Sequence, residues 1–395
     1  MPRILSYFFI LSLFSFPLYV ILLLRIQNEK TKTLVRPLSS KHDNDSFSRA
    51  LLEMDEKNIN VGRWSINSRN FSTTDRILPK QDFSTPIPCH EEYFSTPIPC
   101  HELTRNLPKT VLKPEHLQAQ EFFDLSYNND VYLDAFRYIH PAKDLCKGKN
   151  DSEKLIVLLV ISDTLVSGHL FRDAIRATWG RHLKKYNRWC IRLGFIIGNS
   201  TNSSRMIDIS LESHRYGDII QGSFGDGYNH FTDKTMTAFR WAQQFCSNAS
   251  LIMRVTHDTV VNIPLLTKWA ELFDTQRKTR LYFGDTQSMA EQYKEGKYQF
   301  RSPVKWPTNK YPPFNTGTGY AISMDLAVEL NALFCRTPIA FPDDIYIGAL
   351  VDSLGATAQS TYHFQQTHSL GVSDFYRITK KNVIVHFVNW DSKLV

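Results

Sequence analysis

Short sequence signatures are missing from this 395-residue chain, and each absence removes a class of protein. No C-x-x-C occurs among its six cysteines, which argues against a zinc ribbon or a thioredoxin-type redox centre. There is no G-x-x-x-x-G-K-S/T, and no G-x-G-x-x-G after the first strand pattern, so a P-loop NTPase or a classical dinucleotide enzyme is disfavoured. No G-x-S-x-G elbow and no H-E-x-x-H appear either. Lysine and arginine form no dense block and the net charge is only +7, so no nucleic-acid partner is expected. At 42% hydrophobic and 22% charged, the composition is that of a globular protein.

The amino terminus carries a long apolar run. Ile4 to Leu24 is free of charge, and about 20 apolar residues span a bilayer as a helix. Pro17 lies inside the run, which a membrane helix tolerates. No small-residue cleavage site follows Leu24, so the run reads as an uncleaved signal anchor at 4–24 behind a cytoplasmic tail at 1–3. Arg3 on one side and Arg25, Lys30 and Lys32 on the other leave the orientation open by charge alone. N-x-S/T triplets at Asn44, Asn70, Asn150, Asn199, Asn202 and Asn248 permit a lumenal body. Cys89, Cys100, Cys146, Cys190, Cys246 and Cys335 are an even set, some of which can pair in an oxidising lumen; the connectivity is not readable.

Residues 25–150 read as a polar, irregular stem. Within it FSTPIPCHE occurs at 83–91 and again at 94–102. Thr-Pro-Ile-Pro favours extended backbone. A metal across Cys89, His90, Cys100 and His101 is conceivable, but a duplicated linker needs no ligand. From 151 to 395 the texture is that of a folded domain. Apolar runs at 155–162, 191–198, 216–224, 251–255, 281–284, 320–323 and 383–387 read as strands, and 168–180 and 231–246 read as helices. In the second helix Thr232 can act as cap. Alternation of this kind implies an α/β domain with a mostly parallel sheet, whose ligands meet the carboxyl ends of strands. The segment LIMRVTHDTVVNIP at 251–264 places Asp258 just past such an end, where an acid can hold a divalent cation against a diphosphate. Taken alone, it reads equally as a turn aspartate.

Six segments in order carry a resemblance. They are RDAIRATWG (172–180), YGDIIQ (216–221), FTDKT (231–235), the strand tip at 254–262, YPPFNTGTGY (311–320) and PDDIYIG (342–348). This set resembles the β-1,3-galactosyltransferase family, inverting enzymes that include β-1,3-N-acetylglucosaminyltransferases and Fringe-like proteins, over roughly residues 152–390. The resemblance implies a GT-A-type nucleotide-sugar-binding fold, a UDP-sugar donor, Mn²⁺, a glycoprotein or glycolipid acceptor, and a type II protein of the Golgi membrane. Asp258 matches the last acid of the family's D-D-D motif, with Thr256 and His257 in place of the first two. His257 is a candidate second ligand. Asp344 matches the family's general base, with Asp343 beside it, though an aspartate there also reads as a helix cap. His386 matches a carboxyl-terminal histidine that completes the metal site, though a lone histidine on an apolar strand is commonly structural. Arg172, Arg176 and Lys234 match regions that border the nucleotide, and as plain charges they need no explanation. Gly317 and Gly319 match a glycine-rich segment that lets sugar approach, where Thr318 replaces a third glycine. Trp306 is a candidate sugar-stacking ring or an ordinary buried aromatic.

Two readings follow. One is an active glycosyltransferase moving galactose or an N-acetylhexosamine into a β-1,3 linkage. The other is a catalytically impaired glycan- or partner-binding protein on the same fold, motivated by Thr256 and His257.

Overall fold

Lys154–Ile161 (β2) is apolar at every position after its lysine, and those seven residues are all buried. A strand of that kind belongs between two neighbours with both faces covered. In the computed structural model β2 pairs in parallel with Trp189–Asn199 (β3) on one side and with Ala249–Thr256 (β5) on the other. The structure describes residues 95–106, 128–148, 153–181, 183, 188–288, 290–291, 299, 301–302, 310–361, 363–367 and 382–387. Among these no helix is long and apolar enough to cross a membrane. The apolar run at 4–24, the first FSTPIPCHE copy, Asn44, Asn70, Asn150 and Trp306 lie outside the described residues.

The main sheet has eight strands in the order β1-β4-β3-β2-β5-β8-β7-β9. Ile219–Gly225 (β4) is parallel to β3, and Tyr138–His140 (β1) closes that edge antiparallel. On the other side Phe314–Ser323 (β8) runs antiparallel to β5, and Tyr282–Gln287 (β7) antiparallel to β8. Gln359–Ser360 (β9) is parallel to β7. The sheet is therefore mixed. Its four central strands are parallel as expected, while β1 and β8 depart from the mostly parallel pattern. A second sheet joins Phe364–Thr367 (β10), Ile384–Phe387 (β11) and Thr259–Val261 (β6), with β11 antiparallel to β6.

Helices Cys100–Leu103 (α1) and Asp130–Asp134 (α2) precede the sheet. Val166–Ala177 (α3), Ser203–Tyr216 (α4) and Phe231–Phe245 (α5) are the crossovers from β2 to β3, β3 to β4 and β4 to β5. Ile263–Thr275 (α6), Met324–Phe334 (α7) and Asp343–Ser353 (α8) follow. Helix α4 starts where the Asn202 side chain accepts from the Arg205 N–H, and ends at Gly217 in the left-handed conformation. In α5 the residues from Thr232 to Ala242 are all buried, so the helix is covered on all sides and is not merely striped. Thr232 does not cap it; its hydroxyl lies inside the helix and donates to the Ala340 carbonyl at 2.8 Å.

Part of the segment read as stem is docked on this unit. Cys100 is bonded to Cys335 at the end of α7, and Cys146 to Cys246 at the end of α5. Ser95 pairs with Tyr138, and Arg240 of α5 donates to the carbonyls of Ile98 and Leu133. With its sulfur in a disulfide, Cys100 offers no thiolate to a metal. The Cys146–Cys246 bridge closes a 100-residue separation, for which chain-entropy arguments give about 4–5 kcal/mol. Replacing both of its cysteines with serine is expected to lower unfolding stability by about 2–5 kcal/mol, read as a lowered urea midpoint.

Candidate active site

The strand order reverses at β2. The connections after β2 add β3 and β4 on one flank, and the chain then returns to lay β5 on the other. Such a reversal opens a crevice at the carboxyl ends of the two strands. Here those ends are Ser162-Asp163 after β2 and Thr256-His257-Asp258 after β5, brought side by side by the pairing of Ile161 with Thr256.

Buried ion pairs fix the β2 side. Arg172 is fully buried and donates to both carboxylate oxygens of Glu212, to Ser162 Oγ at 3.0 Å and to the Asp163 carbonyl at 2.6 Å. Burial works against the Glu212 charge, yet Arg172, His169 and Arg176 outweigh it and hold that carboxyl at about 2. Arg176 grips Asp218 with two bonds and shares Glu212, and its guanidinium lies 4.0 Å from the centre of the Tyr216 ring. Lys234, also fully buried, donates to the Ser162 carbonyl at 2.7 Å and pairs with Asp226 at 2.5 Å. Asp226 in turn accepts from the Thr164 and Gly198 N–H groups. The cations expected to border a nucleotide therefore hold the strand ends together, their donors engaged with acids and carbonyls.

Thr256 and His257 at the β5 tip are half-buried. Thr256 Oγ1 bonds Thr259 Oγ1 at 3.1 Å and lies 3.4 Å from the Thr318 carbonyl. The His257 ring stacks on Phe171 with centroids 4.6 Å apart, and its Nδ1 is 3.1 Å from Ser162 Oγ. Because Ser162 Oγ already accepts from Arg172, its hydroxyl proton is free to go to Nδ1. Burial lowers the His257 pKa against the pull of Asp258 and Asp163, so the ring is neutral near pH 7. In either neutral tautomer Nδ1 engages Ser162 Oγ, so His257 braces the tip. Asp258 follows, half-buried. The β11–β6 pairing sets the backbone of His386 opposite Thr259, one residue from Asp258. A carboxylate at that strand end is an oxygen donor of the kind a divalent ion takes.

Across β8 sits the second acid pair. Asp343 is buried and spent: its Oδ2 accepts from Thr235 Oγ1 at 2.6 Å and from Arg254 Nη2 at 2.7 Å. Its carboxylate is therefore a counter-ion to Arg254 and not a cap on α8, which corrects the helix-cap expectation for this residue. Asp344 is different. Oδ2 accepts from the Gly317 N–H and Oδ1 from the Ile345 N–H, both at 2.9 Å. Burial pushes its carboxyl up and Asp343 adds to this; the two N–H groups and Arg254 draw it back, leaving it at about 6. A carboxylate poised near neutrality can take a proton and later release it.

The two glycines of the glycine-rich segment lie in β8 and have separate surroundings. A Cβ at Gly317 would sit 3.2 Å from Asp344 Oδ2, so glycine there admits the carboxylate. A Cβ at Gly319 would come within 2.8 Å of Val255 and 3.0 Å of Ile384; its bare face is filled by packing and does not front the crevice. Asn199, Asn202 and Asn248 are exposed. Arg254, Asp226, Ser162 and Glu212 were missed in the sequence. The one available signal was a charge inside an apolar strand, the arginine of LIMRV.

The galactosyltransferase family model matches residues 171–361, which include Asp258, Asp343, Asp344 and both glycines but not His386. Beta-1,3-galactosyltransferase 5 of Homo sapiens is 30% identical over 226 residues, covering 55% of this chain and 69% of that protein. For the Pan paniscus protein of the same name the values are 30%, 55% and 71%. UDP-GalNAc:beta-1,3-N-acetylgalactosaminyltransferase 1 of Homo sapiens is 30% identical over 232 residues, 57% of this chain and 66% of that protein. A solved galactosyltransferase with donor and acceptor sugar analogs superposes with a TM-score of 0.32 at 12% identity, over 60% of this chain and 90% of that one, too weak to argue from.

Proposed function

This chain belongs to the galactosyltransferase family and is a β-1,3-galactosyltransferase-like glycosyltransferase, and from that premise we propose that it transfers galactose or an N-acetylhexosamine from a UDP-sugar to a hydroxyl of a glycoprotein or glycolipid glycan. The product is a β-1,3 linkage formed with inversion. The observation that carries the reading is Asp344, a carboxyl lifted to about 6 and oriented by two backbone N–H groups beside the crevice. Asp344 takes the proton of the acceptor hydroxyl as its oxygen attacks the anomeric carbon. The bond from that carbon to the diphosphate breaks on the opposite face, and UDP leaves with the electron pair. The crevice between the β2 and β5 ends holds the donor so that the two sugars stand in line.

Asp258, half-buried just past the β5 end, would hold Mn²⁺ through a carboxylate oxygen, with His386 as the further ligand, and the ion when bound would supply positive charge against the diphosphate. We further propose residence in the Golgi membrane, anchored through 4–24, with the folded unit in the lumen; two disulfides support an oxidising compartment. The test is calorimetric titration of UDP into the full chain in detergent, with and without Mn²⁺, beside UDP release from a panel of UDP-sugars. Binding that requires Mn²⁺ and release from one preferred donor are expected. Asp258→Asn should weaken Mn²⁺-dependent UDP binding by more than the roughly 10–100-fold typical of outer-shell changes. Metal-independent binding without release from any donor would favour the impaired-protein reading.

A further inference from the structure

A guanidinium in the middle of a buried strand needs a reason, because taking an ion out of water costs several kcal/mol even after relaxation. Arg254 is such a group: it sits in β5, between Leu159 of β2 and Tyr320 of β8, and is wholly buried. An aliphatic side chain would serve the strand as well. What the arginine adds is a fork that touches three elements. Nε donates to Thr235 on α5, Nη2 to Asp343 at the start of α8, and Nη1 to the carbonyl of Gly317 on β8.

Gly317 is the residue whose N–H holds Asp344 Oδ2. Its carbonyl is fixed by Arg254 and its amide is given to Asp344, so the glycine is held on both sides of its Cα. We propose that Arg254 is a positioning residue for transfer: it fixes Gly317 so that the Gly317 N–H keeps the Asp344 carboxylate in its reacting orientation. Nothing in the family match or the acid motif requires this arrangement. It rests on the reading of Asp344 as the base.

Arg254 has a second effect on the same acid. The ionisable groups acting on Asp344 are Asp343 on its own helix, Arg254 on β5, Tyr282 on β7 and Tyr320 on β8. With Asp343 paired to Arg254, Asp344 does not titrate beside an uncompensated neighbour. A lysine at 254 keeps one charge against Asp343 but has a single nitrogen, so it cannot also hold Gly317.

The test compares wild type with Arg254→Lys, full chain, using transfer rate against donor concentration and pH. Arg254→Lys should lose on the order of 10²-fold in kcat, the cost of a small misplacement of a reacting group, with donor KM within a few fold. Its acidic limb should move to higher pH, because the N–H that favours the charged carboxylate is no longer held. A merely structural role would move thermal stability and leave kcat per folded molecule and the limb where they were, and that result overturns the proposal. If Arg254→Lys does not fold, the charge-balanced Arg254→Met/Asp343→Asn pair replaces it. Wild-type kcat in that pair likewise overturns the proposal, and a comparable loss supports it. A wild type that transfers from no donor would strike at the transferase reading itself, an outcome distinct from a variant that matches an active wild type.

Discussion

Asp344→Asn is expected to abolish sugar transfer while UDP binding persists. A positioned general base contributes typically 10²–10⁴-fold, and Asn has no basic oxygen to replace it. The same assignment fixes the pH profile. The base works only when deprotonated, and its carboxyl titrates near 6. Activity should therefore hold above pH 6 and fall about tenfold per unit below it. An ordinary carboxylate, at 3.8, would leave the rate flat to pH 5. Stability should move the other way. Because the folded carboxyl binds its proton more tightly than the unfolded one, the native state holds the extra proton between those two values. The residue thus lowers stability as pH rises through that window, by about 3 kcal/mol for a shift near two units. Asn removes this cost but leaves one of two N–H donors without its acceptor, so the thermal midpoint of Asp344→Asn should be no lower than wild type at pH 7. An inactive variant with a sharply lowered midpoint would point to damage at large and remove Asp344 from the mechanism.

Lys234→Met is expected to be the most damaging single change to the crevice. It strands the Asp226 carboxylate, whose side chain is 9% exposed, and breaking one side of a buried pair costs about 3–5 kcal/mol. Burial alone would raise the Asp226 pKa; Lys234 and the Thr164 N–H outweigh it and hold it low. The pair's contribution is accordingly present above the unfolded carboxyl's pKa and is lost as pH falls through the folded one. Urea unfolding at pH 7 reads the loss directly. Adding Asp226→Asn leaves a neutral pair in place of a stranded charge and should restore most of the stability. If Lys234 only ties the β2 end to the loop after β4, UDP affinity should return with the fold in this double variant. Affinity that stays lost in a restored fold would make Lys234 a ligand of the donor.

The same division runs through the rest of the molecule. The buried strands β2, β3 and β5 were legible because continuous apolar runs of strand length have few other uses. The acids at 258 and 344 were legible because a carboxylate at a strand end, and another in the first turn of a helix, stand out within an ordered set of segments. Residues 95–106 and 128–148 were not legible as part of the folded unit, since what attaches them is two disulfides, the three-residue edge strand β1 and backbone carbonyls that accept from Arg240, none of which leaves a period in the sequence. The glycine-rich segment read as one sugar-facing stretch and is a strand with two different glycines. Only the neighbours of each, Asp344 for Gly317 and Val255 with Ile384 for Gly319, say which serves the site.

By itself the sequence determined the family and the αβ alternation, because those depend on residue type and local order. The tertiary structure decided which partner each buried charge meets. Arg172, Arg176 and Lys234 could equally have met a phosphate or a carboxylate. The carboxylates that two of them meet, Glu212 and Asp226, stand 40 and 8 residues away along the chain and lie beside them only because the connections between the strands bring them together. Asp343 and Asp344 are adjacent and alike in type, yet one is paired to Arg254 and the other is held by two backbone N–H groups. The fork of Arg254 reaches the first directly and the second only through Gly317.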